Sequence, residues 1–248
     1  MATRELVWDG CVNVRDLGDI PTEDGGETRF GAIVRADSVR RLSDAGWAAL
    51  VGYGVSRIVD LRWHDELAAD PPSDLPVELV HVSLFGDFDP AFGHFLDELA
   101  NAEPDPVSAT RVVYLEFLRC YHRNFGDAVA AIAGAGDGAV VVHCAAGKDR
   151  TGLVVALLLR LAGVGVDAIA DDYALSEPSW APFVGDWIAA AESERERARR
   201  VRLSACPRDA ILGVLDEVER VHGGVAGYLH AAGASDADLT ALRARLRG

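Results

Sequence analysis

A cysteine and an arginine separated by five residues stand where a strand-like segment meets a helix-like one. Cys144 is followed by Ala-Ala-Gly-Lys-Asp and then by Arg150. Residues 139–143 are four apolar residues and a histidine and predict a buried strand, and residues 151–162 predict an apolar helix. A short glycine-containing loop between such elements turns backbone N–H groups inward. Together with the helix N-terminus, these groups form a nest for an anion.

This loop combines a nucleophile with groups that stabilise negative charge. The field of the nest should lower the pKa of Cys144, and a thiolate at the base of a phosphate cradle is a nucleophile aimed at phosphorus. Arg150 can grip two phosphate oxygens at once. Thr151 can donate a hydrogen bond to the sulfur and help it to leave. Cys144 and Arg150 are therefore predicted to be catalytic. The predicted substrate-binding residues are Ala145, Ala146, Gly147, Lys148 and Thr151.

Two carboxylates compete for the role of proton donor to the leaving oxygen, which requires an approach of roughly 3 Å. Asp149 lies inside the loop, so its closeness to the reaction is assured. Asp87 follows the predicted strand 77–84, and loops after the strands of a parallel sheet carry functional groups. Without a catalytic role, Asp149 is a loop-shaping ion-pair partner and Asp87 a solvated turn residue. The sequence ranks the two equally.

Other polar residues near this centre are predicted to support it rather than to react. His143 is expected to hydrogen-bond the backbone and shape the loop rather than to bind a metal. Asp60 and Arg62, at a strand end, predict a structural ion pair. A nucleotide-binding Walker A motif is a poor match, because it needs Ser or Thr directly after Gly-Lys, and here Asp and Arg intervene.

The elements that must position these residues alternate between strands and helices. The predicted strands are 55–62, 77–84 and 139–143. The predicted helices are 42–53, 151–162, a pair within 110–135 that breaks near 124–126, and two amphipathic helices from Asp209 onward. Part of 96–109 is expected to be flexible. This alternation predicts an α/β fold with a central, mostly parallel sheet flanked by helices.

The segment 179–202 places aromatic side chains before a dense run of charges. Its aromatic residues are Trp180, Phe183 and Trp187. Glu196 lies four residues before Arg200, which is typical of an exposed helix. Two interpretations stay open, a solvated surface helix and a lid whose aromatic side chains face a pocket. We predict one domain, 1–248, with 179–206 as a helical lid insertion.

Composition limits the partners. The 248 residues carry a formal net charge of −15, which argues against nucleic acid and anionic membranes, so a phosphate must be captured by a local site. The four cysteines are far apart without a CxxC pair, which argues against disulfides and structural zinc, and we expect no metal or cofactor.

The N-terminal stretch has no apolar core of a signal peptide, and the longest apolar stretch, 153–166, is too short to span a bilayer. A cytoplasmic location without stable membrane insertion is expected, export without a cleaved signal stays open, and the oligomeric state is not indicated.

The stretch "HCAAGKDRTG", 143–152, resembles the signature of the cysteine-dependent protein tyrosine phosphatase superfamily, and its Lys-Asp pair resembles the bacterial tyrosine and lipid phosphatase family. Further blocks match in the same order, so the resemblance covers nearly the whole chain. They are "NVRDLGD", "IVRADSVRRLSDAG", "VDLRWHDE", "DDYALS" and "GYLHAAGASDADLTALRARL". In the first block, Asn13, Arg15 and Asp16 are interpreted as structural. The resemblance implies a tyrosine-phosphatase-like fold, a helical lid and activity on phosphotyrosine, in some members also on phosphoserine, phosphothreonine or phosphoinositides. The position of Asp87 matches an acidic site of a related enzyme, and no Trp-Pro-Asp tripeptide is present.

We predict a metal-independent phosphomonoester hydrolase that acts on phosphotyrosine proteins through a phosphocysteine. One alternative is a phosphoinositide phosphatase with little protein activity, which Lys148 favours as a second cation at the rim. The others are a phosphate-binding module without turnover and a sulfurtransferase, which the residues flanking Arg150 disfavour. A thiolate at Cys144 should be oxidation-sensitive. The candidate resolving cysteines are Cys11, Cys120 and Cys206.

Overall fold

The computed structural model describes residues 3–70 and 77–248 and confirms the α/β class. The strands of the sheet are β1 Arg15–Asp16, β2 Ile33–Ala36, β3 Val55–Asp60, β4 Glu78–His81 and β5 Ala139–His143. Their spatial order is β1-β2-β5-β3-β4. Strand β1 runs antiparallel to β2, and all the other pairs are parallel, so the sheet is mostly parallel as predicted.

Strand β5 lies at the centre of the sheet, and all of its residues are buried. The register pairs His143 with Ala36 of β2 and with Asp60 of β3. The carboxyl ends of three parallel strands therefore meet at one edge. Cys144 follows His143 directly, so the predicted nucleophile lies at that edge.

Helices cover both faces of the sheet. They are α1 Asp44–Gly52, α2 His64–Ala69, α3 Pro90–Asn101, α4 Pro106–Cys120, α5 His122–Ala133, α6 Asp149–Leu161, α7 Val166–Ala174, α8 Ser176–Ala189, α9 Glu194–Ser204, α10 Arg208–His222, α11 Val225–Ala231 and α12 Asp236–Arg247. Because successive side chains of a strand point to opposite faces, Val140 and Val142 enter the larger core, whereas Val141 packs in the smaller core beneath α1. Within residues 3–70 and 77–248, no helix is long and apolar enough to cross a bilayer.

Helix α6 is the central helix of the larger core. Every residue of α6 except Asp149 and Arg160 is buried. A helix that is apolar nearly all round needs neighbours on every side. It contacts β2 and β5 as well as α5, α7, α10, α11 and α12. The N-terminus of α6 is thereby held rigidly behind the loop that follows β5.

Two sequence expectations about the helices are wrong in detail, and a third, flexibility within 96–109, stays a prediction. The break within 110–135 falls at Tyr121 rather than at 124–126. Most of 96–109 is helical, because Asp105 caps α4 and a proline is tolerated in its first turn. The segment from Asp209 onward forms three helices rather than two. Gly223 and Gly224, with φ of 65° and 112°, separate α10 from α11.

Candidate active site

The loop 144–150 runs from the end of β5 into the first turn of α6, and the carbonyl oxygens of residues 145–147 point away from its centre. Ala145 O accepts a hydrogen bond from Ser38 N at 3.1 Å. Ala146 O accepts from Asn13 Nδ2 at 2.9 Å and from Trp180 Nε1 at 2.7 Å. In a planar trans peptide the C=O and the following N–H point in opposite directions. Carbonyls held outward therefore turn the next N–H groups inward, as an anion nest requires.

A cluster of buried charges holds the third carbonyl of the loop. Arg35, which is fully buried, donates from Nη2 to Gly147 O at 2.8 Å and from Nη1 to Asp172 Oδ2 at 2.6 Å. Arg15 and Arg4 bind the same carboxylate. Burial alone would raise the pKa of Asp172, but the three arginines lower it well below its usual range. Asp172 is therefore an anion at neutral pH and fixes Arg35 against the loop.

Gly147 is required by both conformation and space. Its φ is +65°, in the region that favours glycine. A Cβ on this residue would lie 2.4 Å from Ala36 O. The loop thus passes closer to the end of β2 than any residue with a side chain allows.

The nucleophile and the arginine of the loop are both buried. Cys144 is 2% exposed and Arg150 is 8% exposed. The guanidinium of Arg150 binds Glu66 with two hydrogen bonds, one of them from Nη2 to Oε1 at 3.1 Å, and lies 4.6 Å from the ring centre of Trp63. Burial raises the pKa of Glu66, but the Arg150 charge outweighs burial and lowers it. Both terminal nitrogens of the guanidinium, Nη1 and Nη2, therefore donate to Glu66.

Lys148 is not the rim cation that the sequence suggests. It is 6% exposed, and its Nζ donates to Asp149 Oδ1 at 2.6 Å and to Ala205 O at 3.3 Å. Burial opposes its charge, but the Asp149 carboxylate outweighs burial and raises the pKa of Lys148. The ammonium group is therefore neutralised by its neighbour in the loop.

Asp149 has a second partner from outside the loop. The hydroxyl of Tyr114, on α4, donates to Asp149 Oδ1 at 2.5 Å. The same hydroxyl lies 2.8 Å from the hydroxyl of Tyr173, on α7. Asp149 is thus held by α4 and, through the two hydroxyl groups, connected to α7.

Asp87 lies on the same cleft as Asp149 but in a different environment. The cleft has a volume of about 280 Å³, and Arg150 and both carboxylates line it. Its aromatic residues are Trp63, Phe85, Phe88, Phe92, Tyr114, Phe117 and Tyr121. The side chain of Asp87 is 89% exposed, and its Oδ1 lies 2.8 Å from His64 Nδ1. Asp149 therefore belongs to the base of the cleft and Asp87 to its mouth.

The sequence predicts a hydrogen bond from each of two further side chains at the loop, His143 and Thr151. His143 Nδ1 donates to Cys144 O at 3.1 Å, which confirms its role in shaping the backbone. Burial lowers the pKa of His143 despite Asp60, whose Oδ2 lies 3.6 Å away, so the ring is neutral. Thr151 Oγ1 is buried and has no hydrogen-bond partner in the described part of the chain. The predicted bond from Thr151 to the sulfur is absent from this structure.

The predicted ion pair of Asp60 and Arg62 is present, and the polar residues of the block "NVRDLGD" make hydrogen bonds that agree with a structural interpretation. Arg62 Nη2 binds Asp60 Oδ2 at 2.9 Å. Asn13 braces the loop as described above, and Arg15 Nη1 donates to Asn13 Oδ1 at 2.6 Å. Asp16 Oδ2 accepts hydrogen bonds from Gly31 N at 3.0 Å and from the Tyr53 hydroxyl at 2.6 Å.

The segment 179–206 forms most of α8 and all of α9. Of its aromatic side chains, Trp180 contacts the loop 144–150, whereas Phe183 and Trp187 are 54% and 42% exposed. Helix α9 instead lines the cleft with Arg199, Arg202 and Leu203. Arg199 Nε binds both oxygens of Asp97 on α3 at 2.8 Å.

Proteins with similar sequences identify the family to which this chain and its loop 144–150 belong. Residues 6–248 match the profile of the tyrosine phosphatase family. The chain belongs to this family, and the protein is a phosphatase. It is 33% identical over 284 aligned positions to the triple specificity protein phosphatase PtpB of Mycobacterium tuberculosis, and the alignment covers 100% of both chains. It is 32% identical over 227 positions to a tyrosine-protein phosphatase of Nostoc commune, covering 87% of this chain and 74% of that protein.

Sequence reasoning did not assign a function to three residues of this phosphatase site. Glu66, Tyr114 and Asp172 contact the loop 144–150 or its supports from α2, α4 and α7. Glu66 and Asp172 lie inside the blocks "VDLRWHDE" and "DDYALS". These blocks resemble the family, but the resemblance assigned neither residue a role. Tyr114 lies outside these blocks, and a single tyrosine in a predicted helix does not indicate a functional site.

Proposed function

We propose that the protein is a metal-independent protein-tyrosine phosphatase that forms a phosphocysteine on Cys144. The observation that carries this proposal is the ring of outward-held carbonyls around a buried cysteine, with Arg150 closing the loop. The inward N–H groups and the guanidinium stabilise charge on the three equatorial oxygens of a transferring phosphoryl group. This stabilisation is the main contribution that a protein makes to phosphoryl transfer.

In the first step, the Cys144 sulfur attacks phosphorus and the bond from phosphorus to the ester oxygen breaks. The electron pair stays on that oxygen, which takes a proton from a carboxyl group of the cleft. Asp149 and Asp87 are the two candidates, because both line the cleft with Arg150. In the second step, water attacks phosphorus and the S–P bond breaks, so the thiolate is regenerated and inorganic phosphate leaves. The hydroxyl of Thr151, which has no hydrogen-bond partner among residues 3–70 and 77–248, is the candidate donor to the departing sulfur.

The walls of the cleft favour an aryl phosphate as substrate. The aromatic side chains beside Arg150 suit a tyrosine ring, since rings pack well edge to face or stacked. Relatives named as a tyrosine-protein phosphatase and a triple specificity protein phosphatase support phosphoprotein substrates. We extend the proposal to phosphoserine and phosphothreonine.

The charges of the cleft disfavour the alternative of a phosphoinositide phosphatase with little protein activity. The cations that line it besides Arg150 are Lys148, Arg199 and Arg202. Each is paired with a carboxylate, Lys148 with Asp149 and both arginines with Asp97. A substrate with additional phosphate groups would have to break these pairs. We therefore propose that the protein prefers phosphotyrosine proteins over phosphoinositides as substrates.

Hydrolysis of an aryl phosphate in excess EDTA by the wild type and by Cys144→Ser tests the proposal. We expect turnover by the wild type and none by the variant. A serine variant that keeps the wild-type rate would remove Cys144 from the mechanism, and an inactive wild type would favour a phosphate-binding module. Rates on a phosphotyrosine peptide and on vesicles that contain a phosphatidylinositol monophosphate then rank the two substrate classes.

The organisation of the chain and its location complete the proposal. We place residues 1–248 in a single domain in the cytoplasm and 179–206 in a lid over the cleft. The contacts of Trp180 with the loop and of Arg199 with α3 support the lid.

Peroxide should inactivate the enzyme and a thiol should restore it. Burial raises the pKa of Cys206 to about 11 and that of Cys11 still further, which makes both thiols poor nucleophiles for resolving an oxidised Cys144.

A further inference from the structure

The two oxygens of Asp149 have different surroundings. Oδ1 accepts hydrogen bonds from Lys148 Nζ at 2.6 Å and from the Tyr114 hydroxyl at 2.5 Å. Oδ2 accepts none from residues 3–70 or 77–248. The side chain of Asp149 is 37% exposed and lines the cleft together with Arg150. The free oxygen is therefore the one available to a reacting molecule.

Both partners of Oδ1 act as donors, so this oxygen is held in place by two hydrogen bonds. Burial and the Asp149 charge raise the pKa of Tyr114 well above its usual value, so the hydroxyl keeps its proton at any working pH. Lys148 likewise stays charged, since its pKa is raised.

Three further ionisable groups lie near Asp149. They are Arg150 in the loop, Tyr173 on α7 and Cys206 after α9. Arg150 is a cation, and burial keeps Tyr173 and Cys206 in their neutral forms. Asp149 thus faces two cations and two hydroxyl groups, one of which donates to it directly.

We propose that Tyr114 is a positioning residue, which holds the free oxygen of Asp149 toward the water that attacks the phosphocysteine. The inference rests on the proposed function, because it concerns the second step of that mechanism. The water oxygen bonds to phosphorus, the S–P electron pair returns to sulfur, and a water proton passes to Asp149 Oδ2. Proton transfer to a positioned acceptor accelerates such steps.

The proposed role assigns the two carboxylates of the cleft, Asp149 and Asp87, to different steps of the reaction. With Asp149 assigned to the second step, Asp87 at the mouth of the same cleft is the candidate proton donor to the leaving oxygen in the first step. Two carboxyl groups whose surroundings differ commonly take the separate roles of acid and base.

Rapid mixing of the enzyme with excess p-nitrophenyl phosphate tests the proposal through Tyr114→Phe and Asp149→Asn. If hydrolysis of the phosphocysteine slows, both variants release a burst of nitrophenolate close to one per enzyme before a slower steady state. We expect kcat to fall about ten-fold in Tyr114→Phe and kcat/KM to stay within about two-fold, because kcat/KM does not depend on the second step. Acid quenching and mass spectrometry should find phosphate on Cys144 in each variant.

Tyr228→Phe is the matched control, because this tyrosine is also buried and its hydroxyl donates to Leu118 O at 3.0 Å, away from the loop. It should show wild-type kinetics without a burst. Asp149→Asn supplies the same measurement if Tyr114→Phe does not fold.

Three outcomes would overturn the proposal. One is an unchanged kcat without a burst in Tyr114→Phe. Another is a parallel fall of kcat and kcat/KM without a burst in either variant, which would place Asp149 in the first step. A wild type that does not hydrolyse the aryl phosphate in EDTA, or a Cys144→Ser variant that keeps the wild-type rate, would reject the proposed function itself and this inference with it, and that failure is visible before Tyr114 or Asp149 is changed.

Discussion

At the scale of single residues, catalysis by this phosphatase depends on side chains that hold the reactive ones still. Arg150 can bind phosphate productively only if its guanidinium is oriented before the substrate arrives. Glu66 and Trp63 provide that orientation, one by hydrogen bonds and the other by its ring face. Glu66 also accepts from Trp63 N at 2.8 Å, so the start of α2 and the arginine are fixed together.

Replacing Glu66 by glutamine should therefore weaken transition-state binding. The amide keeps the shape of the carboxylate but loses its charge and one acceptor for Arg150. We expect kcat/KM for an aryl phosphate to fall about ten-fold or more, in line with the strength of a charge-assisted bidentate pair. Asp65→Asn is the control, since Asp65 is the exposed neighbour in the same turn. Equal rates for both variants would mean that Arg150 needs no such partner.

The sequence supports the prediction of some of these residues and not of others. Cys144, Asp149 and Arg150 lie within seven residues between two strongly apolar segments, so local spacing alone brings them together. Glu66 and Tyr114 reach the same point from α2 and α4, which approach the loop only after packing. The burial of Lys148 depends on the carbonyl of Ala205, 57 residues away. Contacts of this kind have no local signature.

At the scale of elements, the shape of the loop 144–150 follows from how closely β5, β2 and α6 are packed. The loop can curl only because Gly147 adopts a positive φ and passes within contact distance of Ala36. Strand β5 and helix α6 were predictable because each is a continuous apolar segment. The break between α4 and α5 was not, since Tyr121 carries no glycine or proline signal.

Gly147→Ala and Gly25→Ala separate backbone strain from collision. Both glycines have positive φ, 65° and 86°, so each substitution should cost about 1 kcal/mol of stability through the backbone. A Cβ at Gly25 meets nothing within 4 Å, whereas at Gly147 it meets Ala36 O at 2.4 Å. We expect only Gly147→Ala to lose most of its phosphatase activity. Thermal unfolding and aryl phosphate kinetics of both variants would show this, and comparable activities would contradict it.

The proposed lid is held to the core by charges rather than by an apolar face. Asp97 on α3 binds Arg199 and Arg202 of α9. Asp97→Asn should loosen α9, so its amide hydrogens should exchange faster while those of α6 stay protected. Glu217→Gln breaks an ion pair with Arg220 on the remote α10 and serves as the control. Unchanged exchange of α9 in Asp97→Asn would show that other contacts hold the lid.

At the scale of the whole molecule, one buried carboxylate connects the N-terminal segment, the sheet and α7. Asp172 is 2% exposed and binds Arg4, Arg15 on β1 and Arg35 on β2. Arg35 in turn holds Gly147, so the same cluster supports the fold and the loop. A charge cluster of this kind costs desolvation, but removing its single anion leaves three cations without compensation.

Asp172→Asn should therefore destabilise the protein by about 3 kcal/mol at neutral pH, measured by urea unfolding. The pKa of Asp172 is lowered on folding, so its contribution is complete above the unfolded pKa and is lost as the pH falls below it. The gap in unfolding free energy between wild type and variant should be constant above about pH 5 and should narrow below about pH 4. Asp171→Asn, which removes an exposed ion pair with Arg208, should cost little at any pH. A gap that widens on acidification would mean that Asp172 is protonated in the native protein.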